Sequence, residues 1–177
     1  RTASSCENRI NTTVSGVGMF LDLLKSAGEN AAEVRAMETM FFDRNKEVAA
    51  VYLPRSDRLF ANNAFLVSRE IARESIVSYM QQENETTEKA QNGSFELLNA
   101  SLFFNVPTIA LFYPVSFSAE DNAVCVLLST DELGETFSAS KINQPFFVNN
   151  DGIILVHSDI NLQMSGADQS ENPIVKE

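Results

Sequence analysis

Residues 145–159, PFFVNNDGIILVHSD, constrain this chain more than any other stretch. An apolar run, Phe146-Phe147-Val148, meets Asn149-Asn150-Asp151-Gly152 and gives way to a second apolar run from Ile153 to Val156. Asp-Gly between apolar runs predicts a β-hairpin, because Gly and Asn or Asp tolerate the positive φ that such turns need. A similar pattern opens a β-region at 48–60. The expectation is a small antiparallel sheet closed by a terminal hairpin, behind a helical N-terminal region.

That helical region is written in the spacing of its apolar residues. Ile10, Val14, Val17, Leu21 and Leu24 recur at 4-3-4-3 intervals, one face of a helix that starts near Cys6 and stops at Ala27-Gly28. The same spacing would serve a coiled-coil seam. Asn30-Ala-Ala-Glu33 reads as a capping box, and Val34, Met37 and Phe41 carry a second helix to about Asp43. Residues 47–53 alternate as a strand, 54–57 turn and 58–61 return. Residues 67–82 read as one helix, with Ile71, Ser75 and Tyr79 on one side and Arg69, Arg73 and Glu74 elsewhere on its circumference. Residues 81–93 are polar and read as a loop, or a loop with a frayed helical end. Strands follow at 95–104, 107–117 and 122–129, then Thr130 caps a short helix that packs Leu133 inward.

Helices followed by strands and tight turns define an α+β protein. The expected form is an antiparallel sheet of about five strands with a long N-terminal helix, helices and loops covering the other face. The 177 residues suit one domain. It divides into N-terminal helices at 6–44, sheet and covering segments at 47–159, and a C-terminal segment at 160–177.

A net charge of −11 argues against a nucleic-acid partner, since phosphate binding needs clustered Lys and Arg. It also disfavours docking on anionic lipid, and allows cation binding without implying it. No apolar run is long enough to span a membrane. Because the first residue is Arg1, the chain is expected to be a piece of a longer protein. Cys125, in Val124-Cys125-Val126, reads as a small buried hydrophobe. A Cys6–Cys125 bridge is compatible with an oxidising compartment, but nothing in the sequence supports it. Sequons at Asn11, Asn84, Asn92 and Asn99 do not establish glycosylation in a chain this rich in Asn, Ser and Thr.

Catalytic chemistry is not legible. A single histidine, His157, cannot build a His-rich metal site, and the two cysteines have no ligand spacing. No nucleophile elbow, phosphate-binding loop or dinucleotide fingerprint occurs. His157-Ser158-Asp159 has the residue types of a hydrolytic triad, but adjacent strand residues alternate between faces and cannot form a relay. His157 is expected to bond nearby backbone instead. Asp121, Asp131, Glu132 and Glu135 are acidic neighbours without visible convergence on one point. The reading is a non-enzyme with no metal and no cofactor.

Four stretches in order carry a resemblance: EVAAVYLPRSDRLF at 47–60, PTIALFYPV at 107–115, AVCVLLSTDEL at 123–133 and FVNNDGIILVHSD at 147–159. Together they resemble the Cache family of PAS-like extracytoplasmic sensor domains, in its single-Cache form. The resemblance implies a periplasmic or extracellular domain of a membrane-anchored receptor, with spans flanking it. The output would be a chemoreceptor, histidine kinase or nucleotide cyclase. It implies a small-molecule ligand between the sheet and the cover at 61–93. The subclass that binds amino acids carries an Arg-x-Trp element, a Tyr-x-Asp pair and a later Asp. This chain has no Trp, and those positions fall near Asn99, Ser101 and Leu127, so groups to hold an α-ammonium are missing there. The candidate ligand-binding residues are Asn99, Ser101, Tyr113, Arg69 and Arg73, the arginines suiting a carboxylate. The alternative is a ligand-free module that forms a homodimer through its N-terminal helix.

Overall fold

The computed structural model describes residues 2–138 and 146–175. Helices α1 (Thr2–Ala27) and α2 (Ala31–Arg44) lead into strands β1 (Val48–Leu53) and β2 (Arg58–Ala61). Helices α3 (Asn63–Ser68), α4 (Arg73–Gln82) and α5 (Asn84–Gln91) follow, then β3 (Glu96–Asn99), α6 (Ser101–Phe104), β4 (Thr108–Pro114) and β5 (Ala123–Ser129). The chain continues with α7 (Asp131–Ser138), β6 (Phe146–Val148), β7 (Ile154–His157) and α8 (Ile160–Ser165). The fold is α+β. Its main sheet has five antiparallel strands in the order β2-β1-β5-β4-β3.

The N-terminal helices form for the reasons their sequence states. Gly28 takes φ +58 and its amide bonds the Leu24 carbonyl at 3.2 Å, ending α1. Asn30 Oδ1 accepts the Ala32 and Glu33 amides, and its Nδ2 donates to Glu33 Oε1 at 2.9 Å. Glu33 thus closes the box on the cap's side chain.

The sheet is buried on both faces, so the alternation expected of 47–53 is not seen: all six β1 residues are buried. Strand parity instead sorts side chains between two cores. Ile109, Leu111 and Tyr113 of β4 join α1 and α2, where Phe20 stacks on Phe41 at 4.4 Å. Ala110 and Phe112 face α3–α6, among Ile76, Tyr79 and Met80. Cys6 and Cys125 are both free and lie in different cores, on opposite sides of the sheet. Cys125 is the small buried hydrophobe expected.

Four further readings of the sequence need correction. Residues 67–82 are not one helix: α3 ends at Ser68, Glu70 takes φ +56, and the Ile71 amide bonds the Leu66 carbonyl at 3.0 Å, turning Ile71 inward. Residues 81–93 are not a loop. Helix α5 packs Thr86, Thr87 and Ala90 on the sheet, small side chains that contribute burial without raising hydrophobicity. The stretch 95–104 splits after Asn99 into β3 and α6. Ser101 drives the bend, because its hydroxyl donates to the Thr108 carbonyl at 3.0 Å and accepts the Thr108 amide at 3.1 Å. Lastly, the terminal hairpin forms its own two-stranded sheet, β6-β7, and does not close the main one.

The C-terminal segment folds back on that hairpin. The Ile154 amide donates to the Ala167 carbonyl at 3.0 Å, and the Gln169 amide to the Gly152 carbonyl at 2.8 Å. Gly152 is required twice over. It has φ +79, and a Cβ there would meet the Ser170 backbone at 2.7 Å.

Candidate functional site

Of the residues singled out for a ligand, Asn99 and Ser101 meet, the Ser101 amide donating to Asn99 Oδ1 at 2.8 Å, while Tyr113 lies in the core on the other face of the sheet. Arg69, on the cover side, is paired with Asp131. Arg73 donates to Asn63 Oδ1 at 3.1 Å and to the Leu59 carbonyl at 3.2 Å, closing the free edge of β2. Ser101 is fully buried and spends its hydroxyl on Thr108. Asn99 faces the hairpin: its Nδ2 donates to the Ile154 carbonyl at 2.6 Å and the Gln163 carbonyl at 2.7 Å. Tyr113 lies on the α1 face, stacked on Phe95 at 5.5 Å, and its hydroxyl is buried without a partner. Four of the five are structural ties, and the space beneath the cover is filled by Tyr52, Ile76, Tyr79, Met80, Phe112 and Leu127, all buried.

Around His157, the pattern is a latch. Its Nδ1 accepts the Asp159 amide at 2.7 Å, as expected of a residue bonding nearby backbone, and Asp159 then caps α8. Buried Gln163 accepts the His157 amide at 3.2 Å and donates to the Thr130 hydroxyl. Among the described residues, no group of His, Cys, Asp and Glu could hold a metal ion. Asp121, Asp131 and Glu132 are separately engaged with the Ser56 amide, Arg69 and Arg9.

Two clefts flank the free edge of β3, where the hairpin turn stands. Asn149 fixes that turn: its Nδ2 donates to the Leu97 carbonyl at 3.1 Å, and its Oδ1 accepts the Asp151 and Ile153 amides at 3.1 and 3.0 Å. On one side of the turn a cleft of about 380 Å³ lies between α1 and the hairpin. Ile10, Phe95, Leu97, Phe147 and Val148 give it apolar walls; Glu7, Asn11, Asn150 and Asp151 give it a polar rim. On the other side a cleft of about 350 Å³ is lined by Tyr79, Glu83, Leu98, Leu102, Ser165 and Gly166. The residues of the first cleft were legible only as helix face and turn. Nothing in their order announces that Glu7 and Asp151, 144 positions apart in the sequence, border one cavity.

Burial governs the ionisable groups nearby. The Cys6 thiol is pushed up to about 11 by burial and by the charge of Glu7. Burial also raises the Tyr113 hydroxyl above its ordinary range. Neither group ionises near neutral pH, so neither is a nucleophile or base there.

Compared with known proteins, the chain matches no protein-family model and no curated protein. Its function is therefore argued from its own geometry. No helix among the described residues is long and apolar enough to cross a membrane.

Proposed function

We propose that this chain is the extracytoplasmic ligand-sensing domain of a transmembrane signal-transduction receptor of the Cache, PAS-like, type, without catalysis of its own. The observation that carries the reading is the cleft between α1 and the terminal hairpin, set beside a five-stranded antiparallel sheet with helices on both faces. Apolar walls with a few polar groups are the usual character of small-molecule sites. A ligand here touches the N-terminal helix and the hairpin at once, so it biases their relative placement if it prefers one arrangement over another. Flanking segments would carry that displacement to the membrane. A thermal-shift screen against small amines, carboxylates and nucleobases tests the reading. A binder at a hundredfold excess over Kd stabilises by about 2.7 kcal/mol. Loss of binding on Phe147→Asp would place the binder in this cleft. No shift with any compound would reject ligand sensing.

A second reading is a homodimerisation module. Met19, Leu23 and Met40 are 69%, 46% and 46% exposed, and they border an apolar groove of about 210 Å³ between α1 and α2. Sedimentation equilibrium separates the two: a dimer abolished by Met19→Glu, in a protein that answers no ligand, favours this module.

A further inference from the structure

The cleft across the turn holds Glu83 and Asp151 and no basic residue, and the cleft between α1 and the hairpin has the same charge character. No Lys, Arg or His lines it, whereas the groove beside α2 and β2 contains Arg35 and Arg73 and that beside Arg9 contains Arg44 and Lys46. Glu7 comes from α1, one helical turn before Ile10 and Asn11, which share its face. Asp151 comes from the hairpin turn across the opening. Among the described residues neither has an ion-pair partner. Glu96 also borders the cleft, but strand parity with Leu98 sends its side chain toward the cover face, so the charged rims are Glu7 and Asp151.

Carboxylates alone would mark only a solvated surface. Here they flank aromatic walls. Phe95 is 42% exposed, and Phe147 lines the same cleft, so aromatic surface borders it beside the two carboxylates. Behind Phe95 lies Tyr113, stacked on it, with the buried hydroxyl that lacks a partner. A cation is attracted both by carboxylates and by the negative face of an aromatic ring.

Resting on the sensor reading above, we infer that this cleft binds an organic cation with an apolar body. The ammonium sits between Glu7 and Asp151, and the body rests on Phe95, Phe147 and Ile10. Such a ligand joins α1 to the hairpin turn, and a neutral or anionic molecule of the same shape does so poorly.

Calorimetric titration of the intact chain with 2-phenylethylamine, 2-phenylethanol and phenylacetate isolates the charge from the shape. The amine is expected to bind about tenfold or more tightly than the alcohol, phenylacetate to bind weakest, and added salt to narrow the gap. The double variant Glu7→Gln, Asp151→Asn, melting where the parent melts, should bring the amine close to the alcohol. Equal affinity for amine and alcohol, or an amine affinity unmoved in the double variant, overturns the inference. Tighter binding of phenylacetate or the alcohol overturns it while leaving the sensor reading intact. Failure of every probe, together with an empty thermal-shift screen, overturns both. If the double variant melts early, the ranking of the three probes on the parent protein decides.

Discussion

The two faces of the main sheet are built to different standards. On the cover side, buried polar groups are matched: Ser101 with Thr108, Thr87 Oγ1 with Cys125 Sγ at 4.0 Å, and the Asn62 side chain with the Phe65 amide. On the α1 side, the Thr13 and Tyr113 hydroxyls are buried without partners, and a cleft separates α1 from the hairpin. An unmatched buried hydroxyl costs about 1–3 kcal/mol, and a fully packed core leaves no room for a guest. The difference teaches where to look for function. The cover spends its buried polar groups on holding the fold, and the α1 face leaves two hydroxyls unmatched and borders the cleft proposed for a ligand.

Neighbouring residues on β4 test that contrast most sharply, because Phe112 and Tyr113 point to opposite faces. Phe112→Ala opens a cavity in the cover core and should cost about 3–5 kcal/mol in urea denaturation. A loss below about 1 kcal/mol would mean the cover is not tightly packed. Next in size is Gly152→Ala. Its Cβ would collide with the Ser170 backbone at a positive φ, and about 1–3 kcal/mol should be lost. The C-terminal pairing at residues 167–169 should become susceptible to proteolysis first.

Alkaline pH compares the faces through their thiols. Burial pushes Cys125, on the cover face, up to about 12, and Cys6, on the α1 face, up to about 11 from the same ordinary value of 9.0. Both are acids that folding keeps neutral. Their contribution is complete below pH 9.0 and is lost as pH rises through about 11 for Cys6 and about 12 for Cys125. Denaturation midpoints should therefore fall above that pH, and Cys125→Ala should flatten the decline more than Cys6→Ala. The reverse order would place the better desolvated thiol on the α1 face. The smallest effect belongs to Tyr113→Phe. Removing a hydroxyl with no partner should leave stability within about 0.5 kcal/mol or raise it. A clear loss would show that the hydroxyl is matched after all.

Elements with strong local signals were legible in the sequence. The apolar stripe of α1, the Asn30 box, the Gly28 stop and the Asn149–Gly152 turn each depend on neighbours within a few positions. The failures share a physical cause. Helix α5 buries Thr86, Thr87 and Ala90, which no hydrophobic count registers, and the break at Glu70 is set by where Ile71 packs. Strands buried on both faces lose the alternation that marks a one-sided sheet. The candidate site was harder still. Asn99 was singled out as a ligand-binding residue, and its side chain bonds Ile154, Gln163 and the Ser101 amide. Arg69 and Arg73 look free in sequence and are engaged in space. Glu7, Phe95, Phe147 and Asp151 come together only through tertiary packing.

Hydrogen exchange at saturating 2-phenylethylamine tests the central claim directly, namely that the ligand face is the α1 side and not the cover. Amides at 7–11 and 146–151 should gain protection while α4 and α5, residues 73–91, stay unchanged. Protection gained across 73–91, with 7–11 and 146–151 unmoved, would contradict the account and return the ligand to the cover.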